Sequence, residues 1–174
     1  DSSISLRGIG ALAVGLSYDG SVGYHINQVP IPTSAIGDEN FDISRIEVLR
    51  GPQGTLFGRG STGGAVNVVT SQPDFDETYG RAKITAGNYN TQKFEGMFNM
   101  PINENVAVRF AGYGLKRDGY IDNLFMPDTH YDNRDQTSGR LTLAFQSGDT
   151  SASLMWQNYN EDSHRSRKGD FICT

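Results

Sequence analysis

The sequence has only one cysteine, Cys173, in 174 residues, which excludes a disulfide bond within the chain. Long hydrophobic runs are also missing, because no segment approaches the roughly 20 apolar residues of a membrane-spanning helix. Membrane-spanning β-strands remain open, since each needs only about 9–11 residues and alternates apolar with polar positions. The sequence therefore rules out a helical membrane span and leaves a strand-built one available.

Positive charge is sparse as well. Lys and Arg total 15 against 20 Asp and Glu, so the net charge is −5, and the lack of a basic cluster argues against nucleic acid as a partner. Hydrophobic residues make up 36% of the chain, which is low for a compact soluble enzyme. Glycine, Phe and Tyr are abundant instead, with 21, 9 and 8 residues respectively.

The two ends of the sequence carry no initiator methionine, no signal sequence and no evident end of a domain. We therefore expect a segment of a longer protein, for which a missing signal peptide carries no weight. The length suits one or two domains.

The most informative stretch lies between residues 44 and 70. An apolar run leads into six glycines within residues 51–64, and the β-branched run 65–70 follows them. Such glycines provide positive φ angles or allow another backbone to approach closely. The pattern predicts a strand, a glycine-rich turn region and a second strand. Nucleotide-binding loops and tightly packed β-rich domains both use glycines in this way.

The nucleotide-binding interpretation rests on Gly58–Gly63, which matches G-x-G-x-x-G. That fingerprint needs a helix beginning at its last glycine, where the backbone N–H groups hold the pyrophosphate. Residues 66–70 are instead rich in Val and end shortly before Pro73, which favours a strand. A phosphate-binding Walker loop would also need a lysine that is absent here. A strand after Gly63 would exclude this interpretation.

Composition and hydrophobic periodicity divide the sequence into three parts. Residues 1–73 combine many glycines with short apolar runs and predict a small mixed domain of short strands, with at most a turn or two of helix in residues 33–44. Residues 74–78 form a polar linker. Residues 79–174 predict five strands with period two, whose apolar positions fall within 82–86, 94–100, 106–110, 141–145 and 152–156.

The connections between these five strands have two lengths. The turns at 102–105 and 146–150 are short, whereas residues 116–135 form a long polar and aromatic loop. Short turns on one side and long loops on the other are typical of outer-membrane barrels. A soluble antiparallel sandwich also alternates apolar and polar positions. Arg and Lys in the middle of strands, and Gly96 and Gly112 on the apolar face, favour the barrel.

Residues 45–70 resemble the plug-domain signature of TonB-dependent outer-membrane receptors. The likeness continues along the chain at residues 4–8, at 23–32 and at 118–123, although Asn27-Gln28 stands where the family usually has Asp-Gly. The resemblance implies a mainly β fold. It comprises the C-terminal part of a plug domain and then the first antiparallel strands of a 22-stranded transmembrane β-barrel.

The resemblance also implies a function. It is energy-coupled uptake of a scarce solute, such as a ferric siderophore, through the cell outer membrane of a Gram-negative bacterium. TonB would act through an N-terminal box that precedes residue 1, and lipid would surround the barrel. Uptake of a glycan or an aromatic compound, and a structural or adhesin-like role without transport, remain alternatives.

No enzymatic activity and no cofactor are expected, since the sequence offers no Ser/His/acid set and no paired carboxylates with supporting context. The three histidines, His25, His130 and His164, lie far apart without partners at ligand spacing, so we expect surface or lumen histidines and no metal site.

Three groups of residues are expected to serve the plug and its ligand. Polar contacts between plug and barrel are expected from Arg45, Glu47, Arg50 and Arg109. Turns and close packing of the plug are expected from Gly51, Gly54, Gly58, Gly63 and Gly64. The candidate ligand-facing residues are Tyr18, Asp19, Tyr120, Phe125, His130 and Tyr131.

Overall fold

The computed structural model describes residues 5–6, 9–10, 22–31, 40–58, 61–122 and 130–163. The chain divides into two compact units, residues 1–71 and 72–174. Both are built from strands, and the described part contains one helical turn, α1 (Gly54–Phe57). Within the described ranges, no helix is long and apolar enough to cross a membrane. Three of the candidate ligand-facing residues lie outside the described part, namely Tyr18, Asp19 and Phe125. His164 and Cys173 also lie outside it.

The first unit contains a four-stranded mixed sheet. Its order is β4-β3-β6-β5, with β6 parallel to β3 and antiparallel to β5. The strands are β3 (Val22–Ile26), β4 (Val29–Pro30), β5 (Ile43–Arg50) and β6 (Gly64–Thr70). A separate antiparallel pair consists of β1 (Ser5–Leu6) and β2 (Ile9–Gly10). The β-branched run therefore forms β6, which lies inside the sheet between β3 and β5.

The strand β6 decides between the two interpretations of the glycine-rich stretch. It begins at Gly64, where a dinucleotide-binding fold would need the first turn of a helix. The nucleotide-binding interpretation is therefore wrong. The helical turn α1 lies earlier, between the glycines at 51 and 58, and the sequence pattern did not indicate it. Of the predicted helical region, residues 32–39 lie outside the described part, and β5 already begins at Ile43.

The turn that departs from the family pattern is a two-residue hairpin loop between β3 and β4. Asn27 and Gln28 both have positive φ angles, 50° and 69°, as a type I′ turn requires. Asn27 also ties the turn to the end of β6, because its Nδ2 donates to Thr70 Oγ1 at 2.8 Å and its Oδ1 accepts from Thr70 N at 2.9 Å. Asn27 thus supplies a positive φ angle of the turn and the acceptor for Thr70 N.

The second unit contains a five-stranded antiparallel sheet in which chain neighbours pair, in the order β13-β12-β9-β8-β7. The strands are β7 (Tyr79–Gly87), β8 (Thr91–Asn103), β9 (Val106–Arg117), β12 (Arg134–Ser147) and β13 (Thr150–Glu161). Within the long loop, β10 (Ile121–Asp122) pairs with β11 (His130–Tyr131). All five predicted strands are present, and the loop adds a short pair of its own.

The register of this sheet confirms the predicted alternation. Residues directly opposite each other on neighbouring strands share a face, and one row of paired positions is Phe98, Phe110, Leu141 and Trp156. The next row, on the opposite face, is Asn99, Arg109, Thr142 and Met155. The aromatic members of the first row are exposed, whereas Asn99, Arg109 and Thr142 are buried. The sheet therefore presents an apolar face outward and a polar face on its other side.

Candidate functional site

A buried asparagine links three elements of the first unit. Asn67, in the middle of β6, is 1% exposed. Its Nδ2 donates to Glu47 Oε2 on β5 at 2.9 Å, and its Oδ1 accepts from Gln28 N in the β3–β4 turn at 2.9 Å. The plug motif did not indicate Asn67. Its signal is that it is the one amide side chain in a run of small and β-branched residues.

Glu47 is the charged centre of this arrangement. It accepts from Asn67 and from Arg45 Nε, which lies 2.7 Å from its Oε1. The hydrogen bond from Asn67, and next the one from Arg45, lower the pKa of Glu47 from its usual value of 4.5. The Arg45 side chain is 61% exposed, so the ion pair by itself contributes little to stability. Arg45 and Glu47, two of the residues predicted to contact the barrel, therefore contact each other. Arg50, a third, lies exposed at the end of β5.

The lowered pKa of Glu47 gives a pH-dependent contribution to the stability of the first unit. Because the folded-state pKa lies below the unfolded one, the contribution is present above pH 4.5 and is lost as the pH falls through the folded-state pKa. We expect Glu47→Gln to open more readily than the wild type at pH 7, with the difference vanishing in acid. Amide hydrogen exchange of β5 and β6 at several pH values measures this. A difference that does not shrink anywhere as the pH falls below 4.5 would contradict it.

The predicted plug glycines occupy several different environments. Gly51 and Gly58 flank α1 with φ angles of 86° and 73°, and Gly64 begins β6 with a φ of 145°. These three need glycine for conformational reasons. Gly54 begins α1, and among the described residues no atom lies within 4 Å of where its Cβ would stand. Gly63 is half-buried just before β6.

Close packing of a glycine occurs elsewhere, at Gly23 on β3. A Cβ at this position would lie 2.7 Å from His25 Cε1 and closer still to Ser61 Oγ. His25 is 2% exposed, so the expectation of a surface or lumen histidine is wrong for it. Its ring meets Phe57 edge-on with centroids 4.6 Å apart, and its Nε2 lies 3.3 Å from the Phe57 carbonyl oxygen. Because Gly23 has no side chain, the His25 ring of β3 can pack against Phe57 at the end of α1.

The polar face of the second unit carries side-chain interactions within and between its strands. Arg109 is buried and donates from Nη1 to Tyr79 Oη at 3.1 Å, with its guanidinium carbon 5.7 Å from the Tyr79 ring centroid. Arg140 Nε donates to Gln157 Oε1 at 3.0 Å. Glu95 forms ion pairs with two lysines. Lys83 Nζ lies 3.6 Å from Glu95 Oε2, and Lys93 Nζ lies 3.5 Å from Glu95 Oε1. The charges predicted on the polar face are therefore held within the sheet.

A cluster of aromatic and charged residues lies where the long loop meets the sheet. The Arg117 guanidinium carbon is 5.1 Å from the Tyr120 ring centroid, and the Tyr89 ring is 5.7 Å from that of Tyr120. Arg117 Nη2 also donates to Asp132 Oδ2 at 2.8 Å. Hydrogen bonding to Asp132 raises the pKa of Tyr120. We name these four residues, Tyr89, Arg117, Tyr120 and Asp132, the loop cluster.

The loop cluster includes one of the predicted ligand-facing residues and adjoins two others. Tyr120 N donates to Tyr131 O at 3.1 Å, so both predicted tyrosines lie at this end of the sheet, and both are exposed. His130 precedes Tyr131 in β11. The sequence did not indicate Tyr89, Arg117 or Asp132, because only the turn at 88–90 and the register of β9 place them together. In the described ranges, no group of three His, Cys, Asp or Glu residues is arranged to hold a metal ion.

Comparison with known proteins agrees with this architecture. The TonB-dependent Receptor Plug Domain family model matches residues 1–65. The pesticin receptor of Yersinia pestis is 34% identical over 99 residues, which are 57% of this chain and 14% of the relative. The ferrioxamine B receptor of Salmonella typhimurium (strain SL1344) is 40% identical over 84 residues, which are 47% of this chain and 11% of the relative.

The solved structures give the same result for the fold. The ferric yersiniabactin uptake receptor FyuA from Yersinia pestis superposes with a TM-score of 0.69 at 25% identity, covering 89% of this chain and 25% of that one. The chain therefore spans only a fraction of its relatives, 14% or less of the two curated receptors. Residues 1–65 thus match the plug domain of TonB-dependent receptors, and the chain shares the fold of that solved uptake receptor, with plug-domain residues followed by strands of the receptor sheet.

Proposed function

We propose that this chain is part of an outer-membrane receptor of a Gram-negative bacterium that takes up a ferric siderophore with energy delivered by TonB. The observation that carries the proposal is a plug-type unit followed directly by a sheet whose outer face is apolar and exposed. The names of its relatives, which include pesticin, ferrioxamine and ferric yersiniabactin uptake receptors, favour a siderophore over a glycan or an aromatic compound. Its role is transport and not catalysis.

The sheet supports placement in a bilayer. Its exposed apolar side chains include Phe110, Leu143 and Trp156, each in a strand of 12 to 14 residues, which is long enough to cross the hydrocarbon layer at a tilt. The outermost strands of the five, β7 and β13, each pair on one side only within the described part. In lipid, unpaired backbone groups are costly, so further strands of the full-length receptor would pair with both and close a 22-stranded barrel.

The domain roles follow from this placement. Residues 1–73 belong to the plug, residues 74–78 connect it to the barrel, and residues 79–174 begin the barrel wall. Arg45, Glu47 and Arg50 would meet polar groups of the barrel lumen, with Arg109 as a contact on the wall side. Because Glu47 already holds Arg45, this contact would involve the pair together. The glycines at 51, 58 and 64 shape the plug loop that follows β5.

The ligand would meet the loop cluster. Exposed tyrosine rings and a guanidinium suit a siderophore, since they offer stacking surfaces and hydrogen-bond donors to its polar groups. Tyr120 and Tyr131 form the described part of the candidate ligand surface. His130, which precedes Tyr131 in β11, belongs to the proposed set. Tyr18, Asp19 and Phe125 complete the proposed set.

The test is uptake of radioactive iron by the source bacterium grown under iron limitation, with single hydroxamate or catecholate siderophores supplied in turn. Deleting the full-length gene should abolish uptake of at least one of them, and deleting tonB should do the same. Tyr120→Ala in the restored gene should weaken binding of that siderophore to the purified receptor. Unchanged uptake of every siderophore would contradict the proposal. Growth on a glycan that needs both the gene and tonB would move the solute class to glycans, and loss of adhesion without tonB dependence would support a structural role.

A further inference from the structure

Asn99, on the polar face of β8, is bonded to the segment that leads from the first unit into β7. Its side chain is 0% exposed. Oδ1 accepts from Asp74 N at 2.9 Å, and Nδ2 donates to Asp74 O at 3.0 Å and to Glu77 O at 2.7 Å. One side-chain amide thus binds three backbone groups of the segment 74–77, and both of its donor hydrogens are used. We name this arrangement the Asn99 clamp.

The clamp lies beside the first pair of the β7–β8 ladder. Tyr79, the first residue of β7, is opposite Asn99, and the pairing runs on to Gly87 and Thr91. Tension that reached Tyr79 along the chain would open this ladder from its end, one pair at a time. Because the segment is bonded at Asp74 and Glu77, such tension reaches the clamp before it reaches the ladder.

The clamp also sets how much free chain lies between the two units. In the described part of the first unit, the last backbone hydrogen bond along the chain runs from Ser71 N to Asp42 O, and the clamp begins at Asp74. The three steps from Ser71 to Asp74 span at most about 11 Å when fully extended. If the clamp were absent, the free chain would run from Ser71 to Tyr79, eight steps of at most about 29 Å. The clamp therefore removes up to about 18 Å of slack.

We propose that Asn99 is a positioning residue that sets the length of the tether between the plug unit and the first barrel strand. This inference rests on the proposed function, because a pulled plug is what makes the tether length matter. With the clamp closed, the plug unit cannot be displaced as a folded body by more than the short tether allows. Larger displacement first requires the clamp to open. The β7–β8 ladder is thereby isolated from the force on the plug.

The first measurement is amide hydrogen exchange of Asp74 in the full-length receptor. Asn99→Ala removes the acceptor of this amide and should speed its exchange at least tenfold. Asn105→Ala is the matched control, since Asn105 Nδ2 also donates to a backbone carbonyl of the same sheet, that of Gln146 at 2.6 Å. It should leave Asp74 unchanged. If Asn99→Ala does not insert into membranes, Asn99→Ser is used in its place. A serine side chain is too short to reach both the Asp74 and the Glu77 carbonyl oxygens, which Asn99 binds.

The second measurement is single-molecule pulling on the receptor held in a bilayer, with the handle on Thr62→Cys in a Cys173→Ser background. When the clamp opens, about five residues are released, and the wild type should show a length gain of up to about 18 Å, less the distance that the clamped segment already spans. Asn99→Ala should lack this step. A five-residue Gly/Ser insertion between Gln72 and Pro73 should lengthen the tether but retain the step and the slow exchange of Asp74.

The outcomes separate this inference from the proposed function. Equal Asp74 exchange in wild type and Asn99→Ala, or a wild type without the step, would overturn the clamp, whatever the receptor transports. A wild type that shows both signatures but takes up no solute in a TonB-dependent way would leave the clamp standing and refute the proposed function. If both hold, Asn99→Ala and the insertion should alter the uptake rate alike while siderophore affinity stays at the wild-type value. A changed affinity in either variant would count against a tether role.

Discussion

Leu154→Arg is expected to destabilise the membrane-inserted receptor by about 2–4 kcal/mol if the position lies near the bilayer midplane. Leu154 is on the apolar face of β13 and is 71% exposed in the sheet. A guanidinium there would face hydrocarbon, where it loses its hydration without gaining a partner. The free energy of folding into lipid vesicles, followed by denaturant titration of the full-length receptor, measures the effect.

Ser153→Arg is the matched control for this substitution. Ser153 is the neighbour of Leu154 and is also exposed, but it points to the polar face, where Ala144 is its partner across the sheet. An arginine there would lie on the lumen side and should cost much less. Thr142 is a poorer control on the same face, because it is buried and lies opposite Arg109. If Ser153→Arg were the more damaging change, the two faces of the sheet would be assigned the wrong way round.

Gly23→Ala is expected to destabilise the plug unit by about 1–3 kcal/mol through overpacking. The added methyl group would collide with the Ser61 hydroxyl and the His25 ring, both of which are buried. Neither neighbour is the free end of a flexible chain, since His25 packs on Phe57 and Ser61 lies in the core of the unit. Amide hydrogen exchange of β3 and β6 in the full-length receptor should report the lowered opening free energy.

The control for Gly23 is a glycine of the same unit that lacks such neighbours. Gly54→Ala adds a methyl group into open space at the start of α1 and should leave the unit unchanged or stabilise it by up to about 1 kcal/mol. Equal destabilisation by the two substitutions would show that steric contact at Gly23 is not the cause. Recovery of Gly23→Ala by Ser61→Gly would show that it is.

Much of the fold could be predicted from local patterns. Alternation of apolar and polar residues with period two locates the five strands of the second unit, because each strand has one side against an apolar and one against a polar environment. The Val-rich run after Gly63 predicts β6 in the same way, and thereby excludes a nucleotide-binding loop. The helical turn α1 and the short β10–β11 pair could not be predicted in this way, since elements of two to four residues are too short to show a period.

The candidate sites were less accessible to prediction. The plug motif indicated Arg45 and Glu47, whose charges stand out in a strand, but Asn67, which binds Glu47, comes from a strand 20 residues away in sequence. Tyr120 and Tyr131 were indicated as exposed aromatic residues of a loop. Their neighbours Tyr89 and Arg117 were not, because nothing in the local pattern shows that the 88–90 turn lies against Tyr120.

The sequence by itself determined the kind of protein, because strand periodicity, turn glycines and the plug signature are local features that survive in a linear chain. It also determined that the glycine-rich stretch precedes a strand. Tertiary structure alone decided which polar residues hold the parts together. Asn67, His25 and Asn99 look unremarkable in sequence, and each becomes important only where folding removes it from water and leaves its hydrogen bonds to be made within the protein. Burial and partnership are properties of the folded chain, so only the fold could assign them.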